Sequence, residues 1–139
     1  MYFHKEMIKL QKKLENMGFT VYRPQSFQEM GIINYKTATP EETKELKIKY
    51  NLIKMHYEKI MASDAILVAN YDKKGVEGYI GGNTFLELGF AYVNDRDIFM
   101  IKPIPDLPYK AEIGGMEPIV INNKLTKIKD HYKLNTQAG

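Results

Sequence analysis

The sequence predicts an α/β domain, a parallel sheet between two layers of helices, and three observations lead there. Apolar runs of strand length stand at residues 19–23, 65–70, 98–101 and 118–121. Segments whose apolar residues recur at helical spacing separate them. The alternation of strand, helix, strand, helix, strand then favours parallel pairing with right-handed crossovers.

With 139 residues, the chain is expected to form one domain with a sizeable core and no need of covalent staples. It contains no cysteine, and its three histidines, His4, His56 and His131, are scattered. That composition excludes a disulfide framework and a cysteine nucleophile, leaves no recognisable metal ligand set, and suggests no cofactor. No apolar run approaches the roughly 20 residues of a membrane span. The first residues, with Lys5, Glu6, Lys9, Lys12 and Lys13, lack the apolar centre of a signal peptide, so a cytoplasmic location and no membrane partner are expected. The formal net charge is +3, yet only Arg23 and Arg96 are arginines. Little bidentate phosphate-reading chemistry is therefore present, and nucleic acid is not an expected partner.

In chain order, Met7, Leu10, Leu14 and Met17 define an amphipathic helix over residues 4–17, with Gly18 in the left-handed position that ends it. Residues 19–23 follow as a strand stopped by Pro24. Residues 25–39 have no period and read as a long connection, either a lid over a site or a loose insertion. Thr39, Pro40, Glu41 and Glu42 make a strong helix start. The expected helix runs to Met61 with Leu46, Tyr50, Ile53, Tyr57 and Ile60 as its buried stripe. His56 lies beside that stripe, where a hydrogen-bonded structural histidine is the plainer reading and a catalytic one the sharper. Beyond the strand at 98–101, Pro103, Pro105 and Pro108 stiffen a connection to a short helix at 109–116. A last strand and a terminal helix over 124–132 complete the chain, with the final seven residues expected to fray.

Residues 64–91 organise the rest. A strand buried on both faces ends at Asn70, and Gly75, Gly78, Gly81 and Gly82 shape the loop after it. Thr84 is expected to open a helix with Glu87 in its first turn. Two readings of Glu87 stand. Thr84-Phe85-Leu86-Glu87 fits a capping box, in which the carboxylate only satisfies a backbone N–H. Alternatively, a carboxylate kept ionised by the helix dipole above the strand ends is suited to nucleophilic attack.

Asp64-Ala-Ile-Leu-Val, the glycine-rich loop, and Thr84-Phe-Leu-Glu87-Leu-Gly89-Phe-Ala91 together resemble the signature of the nucleoside 2-deoxyribosyltransferase superfamily, including its deoxynucleoside monophosphate N-glycosidase relatives. The likeness spans residues 21–121 in element order, with its distinctive residues between 64 and 91. It implies a Rossmann-like (flavodoxin-like) three-layer sandwich in which Glu87 attacks the anomeric carbon of a deoxyribose. Family members begin with a strand and a Gly/Ser turn before the first helix; here that strand is lacking at the start of the sequence. They also carry a partner Asp either six residues before the nucleophile, here Gly81, or eight before the leading Asp of the strand, here His56.

On that resemblance the chain is expected to cleave a nucleoside or nucleotide at its N-glycosidic bond. Asp72, Glu77 and His56, in that order, are the candidate proton donors to the leaving base. Tyr79, Gly81, Gly82, Asn83 and Thr84 are the candidate substrate-binding residues, Tyr79 stacking on the base and Asn83 binding a sugar hydroxyl. The rival readings are a nucleotide-binding module without catalysis and a purely oligomer-forming domain. A homodimer or larger assembly is expected, because the helix holding Phe85, Leu86, Leu88, Phe90, Tyr92 and Val93 is apolar on all sides.

Overall fold

A computed structural model describes residues 4–23 and 37–138. Three parallel strands, β1 (Ala65–Val68), β2 (Asp97–Met100) and β3 (Ile119–Val120), lie in the order β1-β2-β3. Ala65 stands opposite Asp97 and Phe99 opposite Ile119. The helices are α1 (His4–Asn16), α2 (Pro40–Tyr50), α3 (Leu52–Met61), α4 (Gly82–Val93), α5 (Lys110–Gly115) and α6 (Thr126–Ala138). The result is a mixed α/β arrangement around a small, open parallel sheet.

Alternation along the strands divides the core in two. Ile66, Val68, Ile98 and Met100 join Ile60, Leu88, Ala91 and Ile113, from α3, α4 and α5, on one face. Ala65, Leu67, Phe99 and Ile101 join Leu14, Ile121 and Ile128 on the other, where α1 and α6 pack. Met100, Leu88, Ile113 and Ile121 are wholly buried; side chains of this size contribute about 2 kcal/mol each on burial. Arg96 ties two helix ends to the sheet, donating to the carbonyls of Met61 and Asn94, where a cation also meets the negative ends of the helix dipoles.

Several expectations need correction. Residues 19–23 form no strand. Phe19 and Val21 still pack onto the second cluster, so the apolar alternation does bury a face. A strand, however, also needs a neighbour to bond, and among the described residues no backbone hydrogen bond joins this stretch to β1. The single helix expected over 40–61 is two, separated by Asn51 in the left-handed conformation, φ 51°. Of the expected stripe only Ile60 is buried, while Tyr50, Ile53 and Tyr57 are exposed. Their helical spacing is real, but it leaves each of them more than a third exposed, even Tyr57, which meets Phe90 of α4 edge-on. The terminal helix continues in regular backbone geometry to Ala138 rather than fraying after Tyr132. Most of the connection expected at 25–39 lies outside the described residues.

Other local signals hold. Thr39 caps α2 by accepting the Glu42 N–H at 3.1 Å, with Pro40 at the first helical position. Gly18 has φ 97° and ends α1.

Candidate functional site

The glycine loop leaves β1 through Asn70, which is 2% exposed. Its side-chain N–H groups donate to the carbonyls of Gly78, Lys102 and Pro103, and its Oδ1 accepts the Lys102 N–H at 2.9 Å. One amide thereby joins the loop after β1 to the chain leaving β2. Gly78 is required here: its φ is 67°, and an added Cβ would lie 3.0 Å from both Asn70 Nδ2 and the Pro103 carbonyl. The sequence marks Asn70 only as the end of a strand. A polar residue closing an apolar run is the signal that marks it.

Asp72 belongs to the same loop. Its Oδ1 accepts the Gly78 N–H at 2.9 Å and the Lys102 ammonium at 2.8 Å. Lys102 first, and the backbone N–H second, hold the Asp72 carboxyl below the usual carboxylate range. Because its value is lowered on folding, this contribution is complete above the ordinary pKa of about 4 and is lost as pH falls through the lower folded value. Asp72→Asn is therefore expected to flatten the decline of the urea-unfolding midpoint in acid. An unchanged acid slope would show that other carboxylates govern it.

Helix α4 starts earlier than the sequence suggested, its N-cap lying three residues before Thr84. Gly81, extended at φ −83° and ψ 175°, is the N-cap and makes no side-chain cap bond; the Gly81 carbonyl accepts the Phe85 N–H at 2.9 Å. Thr84 is thus inside the helix, Glu87 lies beyond the first turn, and the capping-box reading of this pair is set aside. The dipole argument weakens with it, since that effect fades past the first turn. The box-like start belongs instead to Thr39 and Glu42, whose side chains meet at 3.2 Å.

What stands beside Glu87 is His56. Nδ1 of His56 lies 3.0 Å from Oε1 of Glu87, and the side chains are 23% and 28% exposed. They face a small cleft of about 40 Å³ lined by Leu52, Ile53, Leu86 and Phe90, with Lys47 and Asn83 at its polar side. The Lys47 ammonium donates to Asn83 Oδ1 at 3.0 Å. A space of that size holds roughly three waters, so a larger ligand would lie against the cleft rather than inside it. Chemically, the pair sets a carboxylate on an apolar wall next to a ring that can donate through Nδ1 and keep Nε2 for a second proton transfer.

Of the residues expected in the site, Glu87, Asn83 and His56 come together. Asp72 and Glu77 do not line the cleft, and neither do Tyr79, Gly81, Gly82 or Thr84. Glu77 acts on Lys102 electrostatically, and the Tyr79 ring receives the Lys74 ammonium at 5.3 Å. Nothing in the local sequence distinguishes Lys47 from the other lysines of α2. Comparison with protein-family models, with curated proteins and with solved structures returns no match.

Proposed function

We propose that the chain cleaves N-glycosidic bonds of deoxynucleosides or their monophosphates, on a Rossmann-like, flavodoxin-like fold of the deoxyribosyltransferase type, with Glu87 as nucleophile. The observation that carries this reading is the 3.0 Å contact between Glu87 and His56. His56 stands at the position where the glycosidase relatives carry their partner acid, and it is the residue that meets the carboxylate. Asp72, bonded to Gly78 and Lys102 away from the cleft, yields the role of proton donor to His56.

In the first step a Glu87 oxygen bonds to C1′ as the C1′–N bond breaks through an oxocarbenium-like transition state, and the departing base nitrogen takes a proton from protonated His56. In the second, water attacks C1′ and loses its proton to His56, releasing the sugar and restoring the carboxylate. A second base in place of water gives transfer instead of hydrolysis. Leu86 and Phe90 offer the base an apolar wall, and Lys47 and Asn83 offer polar groups to the sugar side. Incubating the protein with deoxynucleosides and their monophosphates, with and without an acceptor base, should release or exchange free base on chromatography. No turnover across the panel would favour the rival reading, a nucleotide-binding or oligomer-forming module in which Glu87 and His56 only pin α3 to α4; the small cleft volume is what favours that rival.

The apolar surface around the cleft bears on assembly. Ile53 is 48% exposed, Leu86 46% and Val93 76%. Glu87 is the one charged residue in α4, and its carboxylate is hydrogen-bonded to His56, so α4 offers a second copy a mainly apolar face. A homodimer or larger assembly is expected by light scattering at micromolar concentration, and Val93→Glu should shift it to monomer. A wild-type protein that is monomeric throughout would refute this.

A further inference from the structure

We infer that the outward side of α1 and α6 is a docking surface for an acidic polypeptide, a partner that presents clustered carboxylates. The charge of the chain is unevenly placed. Residues 4–23 carry five basic and two acidic side chains and residues 124–138 four and one, so this layer is net +6 in a chain whose whole is +3. The remaining residues are net acidic. Both helices cover the same face of the sheet through Leu14 and Ile128, so their outward sides belong to one surface. The Glu87–His56 cleft lies in the opposite layer, among α2, α3 and α4. A partner on α1 and α6 leaves that cleft open, and the docking surface does not rest on the glycosidase reading.

Position along the helices sharpens the asymmetry. Leu10 and Leu14 turn one side of α1 inward, and Lys5, Lys9, Lys12 and Lys13, at spacings of three and four, follow an exposed side. Lys127, Lys129 and Lys133 are exposed on α6. Lys5 with Lys9, Lys9 with Lys13, and Lys129 with Lys133 set like charges at i and i+4, an arrangement that works against the helix that carries it. Among the described residues none of these lysines enters an ion pair, although Glu6, Glu15 and Asp130 stand on the same helices. Helix α2 is built otherwise: its three lysines are matched by Glu41, Glu42 and Glu45, and Lys44 pairs with Glu41 at 3.2 Å. The repulsion on α1 and α6 is thus left unrelieved within the chain, and an anionic surface laid across both helices relieves it.

The chemistry of the face selects among polyanions. Phosphate recognition favours the arginine fork, and Arg23, the one arginine of this layer, donates to Gln11. Among the described residues of α1 and α6 no large apolar side chain is exposed, and the exposed Tyr22 ring lies under the Lys59 ammonium at 4.8 Å. The face therefore offers no platform for stacking bases and no apolar wedge for a bilayer. What it does offer, a spread of compact point charges, suits carboxylates.

Fluorescence anisotropy of labelled poly-L-glutamate tests the surface on the whole chain. The wild type should bind it at an ionic strength of about 0.02 M and release it near about 0.2 M, where screening falls below about 10 Å. Lys9→Glu, Lys12→Glu and Lys127→Glu combined should weaken binding about tenfold or more. Lys44→Glu, Lys54→Glu and Lys110→Glu combined, an equal change of net charge on exposed lysines elsewhere, should weaken it no more than about threefold. Lysine acetylation read by mass spectrometry gives a second answer on the wild type alone: bound poly-L-glutamate should protect Lys9, Lys12 and Lys127 and leave Lys44, Lys54 and Lys110 reactive. No binding, an equal loss in the two triple variants, or protection without that selectivity would overturn the surface. Tighter binding of duplex DNA or of phosphatidylglycerol vesicles than of poly-L-glutamate at the same ionic strength would overturn the acidic polypeptide in favour of that partner.

Discussion

Replacing Glu87 by glutamine should lower base release by several orders of magnitude while the protein stays folded. Glutamine keeps the shape and an oxygen that can accept from His56 Nδ1, so the neighbouring ring keeps a partner. The pair is about three-quarters buried, at 23% and 28% exposure, and exchanging an ionic for a neutral acceptor there should cost about 1 kcal/mol. Chemistry is affected far more, because an amide cannot form the ester to C1′ on which both half-reactions depend. His56→Ala should act differently, slowing the step that protonates the leaving base by about 10²–10⁴. Substrates whose leaving group needs no proton should be spared by His56→Ala and not by Glu87→Gln. Thr84→Ala should leave α4 almost unchanged in stability, since Thr84 is not its cap. Base release by Glu87→Gln at the wild-type rate would end the nucleophile assignment.

The largest loss of stability outside the hydrophobic core is expected from Asn70→Ala. Four bonds disappear at one buried position, and the carbonyls of Gly78, Lys102 and Pro103 and the N–H of Lys102 lose their common partner. Leaving such groups unsatisfied costs about 1–3 kcal/mol each where water cannot replace the bond. With partial solvation the net loss should be about 3 kcal/mol, a fall in Tm of roughly 10 °C for a chain of this length. Asn70→Asp should be at least as damaging, because a carboxylate would face three carbonyl oxygens and could donate to none. Gly78→Ala should weaken the same junction from the other side through its positive φ and the 3.0 Å approach to Asn70 Nδ2. Thermal melts followed by circular dichroism decide this, and a shift of Asn70→Ala below about 2 °C would mean that the loop is held by other contacts.

Features that depend on near neighbours in the chain were determined by the sequence alone. Gly18 ends α1 because only a residue without a Cβ adopts φ 97° freely, and Thr39-Pro40-Glu41-Glu42 starts α2 because cap, ring and acids act within one turn. The parallel pairing of β1, β2 and β3 was legible too, since short apolar runs separated by helices leave few other arrangements. Tertiary structure decided what depends on distant residues meeting. The stretch 19–23 has a strand's alternation but makes no ladder, because pairing depends on a neighbour and not on the stretch itself. Spacing ran unbroken from Leu46 to Ile60, yet the helix breaks at Asn51, whose left-handed conformation costs little and leaves no mark on the periodicity. Glu87 was the residue to watch from the start, but its surroundings were not legible: the capping partner three residues away proved irrelevant. Its hydrogen-bond partner is His56, 31 positions back in the chain, which reaches it only because α3 packs against α4.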